Sequence, residues 1–232
     1  LDGQPTGLLN TRLQYYKTNQ QAIPSITGKI IPEAVFSRRQ YHNTIYERIR
    51  QDIVPHDPDG VLDPVWVNSR GAIPRFDRGS VEIRIMDVQE CPQADLAVQV
   101  LVIETIRALV QEKLSPLQDQ MQIRTELLAG LLDETVRAGA KATITTPEYT
   151  SLLGVGAPAT AGQLWTAVYE NLVQLNPSAL QEWDPEIRIL LEQGPLARRM
   201  LNRLGGDHRP ENLLRLYRTL AECLASNRML SA

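Results

Sequence analysis

Residues 68–87 read NSRGAIPRFDRGSVEIRIMD, and this stretch places a turn, an alternating strand and four arginines together. Side chains alternate along a strand, so Val81, Ile83 and Ile85 fall on one face and Glu82 and Arg84 on the other. Two residues apart on one face is roughly 6.5–7 Å. Arg70, Arg75 and Arg78 come just before, around Gly71, Pro74 and Gly79. A hairpin or bulged turn there aims several planar guanidinium forks at one anion. The plainer reading is an amphipathic strand with a charged wet face. Glycine hinges beside the charges count against that reading, because a merely solvated strand has no need of them. The layout is that of a site handling phosphate and Mg²⁺ together.

Composition narrows the classes around this stretch. The chain has 232 residues, enough for one domain with a sizeable core or for a catalytic half with a helical extension. A net charge of −3 with both signs interspersed gives no broad basic field, so nucleic acid is not an expected partner and the arginine cluster suits a small anion. RNA binding is further disfavoured by the few aromatics among the arginines. Cys91 and Cys223 are too few for a disulfide framework or a zinc site, which fits a reducing cytoplasm. Ala97–Val110 is the longest apolar-rich stretch, and Gln99, Glu104 and Arg107 interrupt it, so no membrane span is expected.

The periodicity upstream predicts a helix from Thr6 to about Gln21, ended by Pro24, then an ordered loop PSITGKIIPE at 24–33. Ser37 is expected to cap a second helix with Tyr41, Ile45, Ile49 and Ile53 on one face, ended by Pro55. PHDPDGVLDP reads as turns leading to a strand at 65–68; His56, Asp57 and Asp59 match no calcium loop. Beyond the Glu82 strand the pattern turns helical: Pro92 to about Leu114, Pro116 to Ala138, then 161–174, 178–192, 195–204 and 210–229. The expected organisation is 1–138 as the portion carrying the site, 139–160 as linker or loop, and 161–232 as a helical C-terminal region.

The run RGAIPRFDRGSVEIRIMDVQEC (70–91), with PTGLLNTRLQYYKTNQQAIPSITGKIIPE (5–33) before it and TAGQLW (160–165) after it, resembles the bacterial glutamate–cysteine ligase family of the carboxylate–amine ligase type. The resemblance implies an α+β fold: an antiparallel sheet portion of a glutamine-synthetase-like catalytic domain with a largely helical C-terminal part. In that family these segments form the later half of a longer chain, whose earlier half supplies further acidic metal ligands. The opening LDGQPTG accordingly reads as mid-protein sequence.

What the resemblance implies chemically is an ATP- and Mg²⁺-dependent ligase with glutamate and cysteine, or another small amine, as substrates. It makes Glu82 the Mg²⁺ ligand, Arg84 the contact to phosphate or substrate carboxylate, and Arg78 and Arg75 the next phosphate contacts. Arg70 and Asn68 either bind the nucleotide or brace the turn. Arg12, Asn19, Ser25 and Thr27 fall on the substrate side of the cleft, although capping and loop stabilisation explain Ser25 and Thr27 equally well. Asp77 is expected to pair with an arginine, and Asp87, on the face opposite Glu82, to orient rather than ligate. The rival is a non-catalytic regulatory or partner-binding module of the same fold. A homo-oligomer or association with the earlier half of the family's chain is compatible with either.

Overall fold

The computed structural model describes residues 4–156 and 160–231. It is α+β, with many helices and one two-stranded antiparallel sheet. The chain divides into two compact units: a hairpin unit of Arg12–Asp87 and Ile123–Leu132, and a helical unit of the residues through Thr11, Val88–Gln122 and Asp133–Ala232.

The hairpin unit opens within α1 (Thr11–Thr18), whose first residue belongs to the helical unit and which is shorter than the expected 6–21 helix. Gly7 has φ +76, and the Leu9 and Asn10 N–H groups donate to Arg137 and Val136 carbonyls, so the chain before Thr11 has left helical pairing. Ser37 does cap α2 (Arg38–Tyr41), accepting from Gln40 N at 3.1 Å, and the helix runs through a π-helical stretch, His42–Tyr46, into α3 (Glu47–Ile53). Tyr41, Ile45, Ile49 and Ile53 are buried along one side with Ile26 and Tyr46, against Val35, Val65, Val67 and Phe76. Each such isoleucine contributes roughly 1.5–3 kcal/mol by leaving water.

The expected strand at 65–68 is instead one helical turn, α4 (Pro64–Val67). Asp63 accepts from Val65 N at 2.8 Å, and Pro64 occupies the first helical turn where no N–H is needed. These start signals override the β-branched run. Next come β1 (Ala72–Arg75) and β2 (Ser80–Ile83), paired Ala72↔Ile83, Ile73↔Glu82, Pro74↔Val81 and Arg75↔Ser80. Arg78 N donates to Arg75 O at 3.0 Å, and Gly79 takes φ +63 to close the loop. Gly71 packs tightly: a Cβ there would stand 3.0 Å from Ile30 Cγ2 and 3.1 Å from Ile85 Cγ2, so these isoleucine side chains would have to shift to admit one. Ile73 is fully buried, whereas Val81, on the other face, is 64% exposed.

In the helical unit α5 (Pro92–Val110) starts on its proline and buries Ala94, Ala97, Leu101 and Ala108. The single helix expected over 116–138 is two, α6 (Leu117–Gln122) and α7 (Thr125–Ala138), because the Arg124 carbonyl opens a new helix by accepting from Leu127 and Leu128. Residues of α7 through Leu132 belong to the hairpin unit and the rest to the helical unit. The 139–160 stretch holds short turns, α8 (Pro147–Thr150) and a bridge between Thr143 and Thr160; its residues 157–159 lie outside the described residues. Then come α9 (Ala161–Leu175), α10 (Pro177–Leu180), α11 (Asp184–Gln193), α12 (Leu196–Leu204) and α13 (Pro210–Ser226). TAGQLW is a reciprocal cap: Thr160 Oγ1 accepts from Gln163 N at 3.3 Å while Gln163 Oε1 accepts from Thr160 N at 3.1 Å. The break within the expected 178–192 helix falls just before Pro185, which has no N–H to donate back.

Glu90 and Arg199 form an ion pair with neither side chain exposed. Arg199 Nη1 also donates to Leu230 O at 2.6 Å, Arg199 Nε to Gly194 O at 3.2 Å, and Leu230 N donates to Glu90 Oε1 at 2.8 Å. The charges are thus both paired and hydrogen-bonded, as burial demands.

Candidate functional site

The hairpin unit collects the predicted residues around Glu82. Hairpin register puts Ile73, Arg75, Ser80, Glu82 and Arg84 on one face. Glu82 Oε1 accepts from Arg84 Nε at 2.8 Å and Oε2 from Arg75 Nη1 at 3.3 Å. The Arg84 hydrogen bond, with the charges of Arg84 and Arg75, holds the Glu82 carboxyl below its ordinary range, so it is a carboxylate at neutral pH. Arg84 Nη1 donates to Asn68 O at 2.8 Å. Neither Arg75 Nη2 nor Arg84 Nη2 has a hydrogen-bond acceptor among the described residues. Two guanidiniums are therefore held by one carboxylate, each with a donor to spare.

At the turn, Asp77 lies 3.6 Å from Arg75 Nε and 3.3 Å from Arg78 Nε. It pairs with an arginine as expected. The Arg78 side chain is 71% exposed, the most open guanidinium of the group.

Beneath the hairpin, Arg70 and Asn68 have the contacts of the bracing alternative. Arg70 is 1% exposed and forks onto Glu33, Nε to Oε2 at 2.5 Å and Nη2 to Oε1 at 2.6 Å, while its Nη1 donates to Ser25 O and Asn68 Oδ1. Every guanidinium nitrogen is satisfied inside the protein. Asn68 Nδ2 donates to Tyr41 Oη at 2.9 Å, which ties the hairpin base to the isoleucine core. Burial raises the Glu33 carboxyl, and the Arg70 hydrogen bonds and charge outweigh this, so its pKa is lowered. Gly28, at φ +58, lets the chain pass this pair: a Cβ there would stand 3.2 Å from Arg70 Nη2. Glu33 was legible only as the last residue of the matched 5–33 run; nothing in its local pattern marks it as the partner of a residue 37 positions on.

The substrate-side candidates are placed unevenly. Arg12 Nε pairs with Asp87 and its Nη2 donates to Ile85 O at 2.8 Å, so it is stitched to the extension of β2. Ser25 and Thr27 are buried, and their hydroxyl oxygens have no hydrogen-bond partner among the described residues. Asn19 is exposed beyond α1, and no bond joins it to the Glu82 cluster.

The cluster of four guanidiniums (Arg70, Arg75, Arg78, Arg84) faces three carboxylates (Glu33, Asp77, Glu82), a surplus of one positive charge concentrated toward the turn. That suits an oxyanion. It does not by itself suit a divalent cation: both Glu82 oxygens are engaged by arginines, and among the described residues no three His, Cys, Asp or Glu side chains come together. The residues present do not fit a Mg²⁺ site on their own.

The profile of glutamate-cysteine ligase family 2 matches residues 1–218. The chain belongs to that family. Among curated proteins it is similar to an uncharacterized protein of Archaeoglobus fulgidus, 36% identical over 137 residues, a stretch that takes in 56% of this chain and 36% of that relative. The match thus spans about a third of the relative's length. No solved structure matches the chain. Family membership places the arginine-rich hairpin in a ligase family. Among the described residues no helix is long and apolar enough to cross a membrane.

Proposed function

We propose that the hairpin unit is the charge-handling part of a cytoplasmic, ATP-dependent glutamate–cysteine ligase. A carboxylate is a poor electrophile for an amine, so the reaction runs through an acyl phosphate. The glutamate γ-carboxylate oxygen attacks the γ-phosphorus of ATP and ADP leaves. The cysteine amine then attacks the acyl carbon, inorganic phosphate leaves, and the amine gives up a proton. Negative charge gathers on the transferred phosphoryl group, and fixed guanidinium donors stabilise it because they need no reorganisation when it develops.

The observation that carries this reading is the pinning of Arg75 and Arg84 by the single carboxylate of Glu82. Glu82 orients both forks and leaves each a free Nη2 donor, while Arg78 presents an open guanidinium at the turn. No step is assigned to Mg²⁺, and the role given to Glu82 is to position the two arginines. Arg70, Asn68 and Glu33 hold the hairpin base rather than touch phosphate.

The test is phosphate release coupled to γ-glutamylcysteine formation by the full-length protein given ATP, glutamate and cysteine. One phosphate per peptide bond is expected, with turnover by Glu82→Gln lowered about 100-fold, the scale of losing a fixed charge stabiliser. Normal turnover by Glu82→Gln would remove this hairpin from the chemistry. Nucleotide or partner binding without any product would instead favour the non-catalytic module.

A further inference from the structure

The helical unit contains a cleft of about 650 Å³ that the ligase reading does not use. We propose that it binds a small monoanion with an apolar body, of the class of medium-chain carboxylates. The volume lies in the range of small-molecule sites.

The cleft is built by α12 and α13, which Gly205 and Gly206, both at positive φ, turn back on one another. Leu201, Leu204, Leu213 and Tyr217 supply its apolar lining from the two helices. A strap at 4–9 closes one side and is fastened by the Leu9 N–H to Arg137 O at 3.0 Å. Leu9 occupies the space over Gly139: a Cβ there would come within 2.0 Å of Leu9 Cδ2, and φ is +57.

Charge selects the occupant. Arg137, Arg198 and His208 line the cleft, and among the described residues no Asp or Glu does, in a chain whose net charge is −3. Arg137 already shares its charge with Glu134 at 3.3 Å. Arg198 is half-buried and has neither an ion pair nor a hydrogen-bond acceptor among the described residues. A partly desolvated guanidinium without a partner is unfavourable, and a carboxylate seated beside it gains a charge-assisted, bidentate hydrogen bond. An apolar tail against the leucines and Tyr217 adds the hydrophobic contribution. Acetate has the head alone and decanol the body alone, so the pair separates the two contributions.

Calorimetric titration of the full-length protein with decanoate, decanol and acetate tests the proposal. Decanoate should bind saturably at one site per chain, decanol about tenfold more weakly, and acetate not measurably. Arg198→Gln should weaken decanoate about tenfold and leave decanol unchanged. Leu201→Asp, which sets a carboxylate on an already exposed part of the wall, should abolish decanoate binding with thermal melting unaltered. Absence of saturable decanoate binding, or affinity indifferent to Arg198→Gln, would overturn the proposal. So would a change of oligomeric state in Leu201→Asp, which would make the cleft an interface between copies.

Discussion

Glu82 holds two guanidiniums in place, and the identity of those guanidiniums matters as much as their charge. Lysine keeps a positive charge but has no planar fork, so Arg84→Lys cannot bond Glu82 and the Asn68 carbonyl together while leaving a donor free. Turnover should fall about tenfold or more with the melting temperature nearly unchanged; melting that falls in step with activity would make Arg84 structural. The Arg70–Glu33 pair belongs to stability instead. Glu33 has a folded-state pKa below its unfolded value of 4.5, so the folded protein binds this proton more weakly than the unfolded chain does. The pair's contribution is therefore present above pH 4.5 and is lost as pH falls through the lower folded value. Melting temperature measured against pH should drop on acidification, and Glu33→Gln should show a shallower drop. Sequence pattern revealed the Glu82–Arg84 face because strand alternation is local. It could not separate arginines that keep a donor free from bracing ones, since that depends on whether a distant carboxylate, Glu33, folds up against them.

At the scale of elements, the π-interrupted rod α2–α3 sets where the hairpin sits within its own unit. Its buried side holds Tyr41, whose ring meets Phe76 edge-on at 5.6 Å and whose hydroxyl accepts from Asn68. Ile45, fully buried in the middle of that side, should cost about 2–5 kcal/mol when cut to alanine, read from denaturant unfolding. A cost under about 1 kcal/mol would mean the rod is not the core of the unit. The rod was legible because four apolar residues at i+4 steps followed a capping serine. The α4 turn was misread because Val65-Trp66-Val67 has strand-like composition, while Asp63-Pro64 carries the helix-start chemistry. The break between α6 and α7 left no proline or glycine to mark it; it appears only through the carbonyl of Arg124. The first helix was overextended because Gly7 and two backbone donations to residues 136 and 137 redirect the chain, and no local pattern announces a partner that remote.

The helical unit of the molecule closes on the Arg199–Glu90 pair, which ties α12 to the segment before α5 and to Leu230. Arg199→Ala leaves a buried carboxylate without its partner and should cost about 3–5 kcal/mol in equilibrium unfolding, whereas an exposed surface pair such as Arg209–Asp207 should cost little. Equal small losses at both sites would show that the buried pair is not organising its unit. For the molecule as a whole, the central claim is that the hairpin activates a carboxylate by phosphorylation. Trapping tests it most directly: the full-length protein, given ATP and glutamate with hydroxylamine in place of cysteine, should form glutamyl hydroxamate with one ADP for each hydroxamate. Glu82→Gln should form it at about a hundredth of that rate. Peptide formation from glutamate and cysteine without any hydroxamate trapped, or hydroxamate formed equally well by Glu82→Gln, would contradict the account.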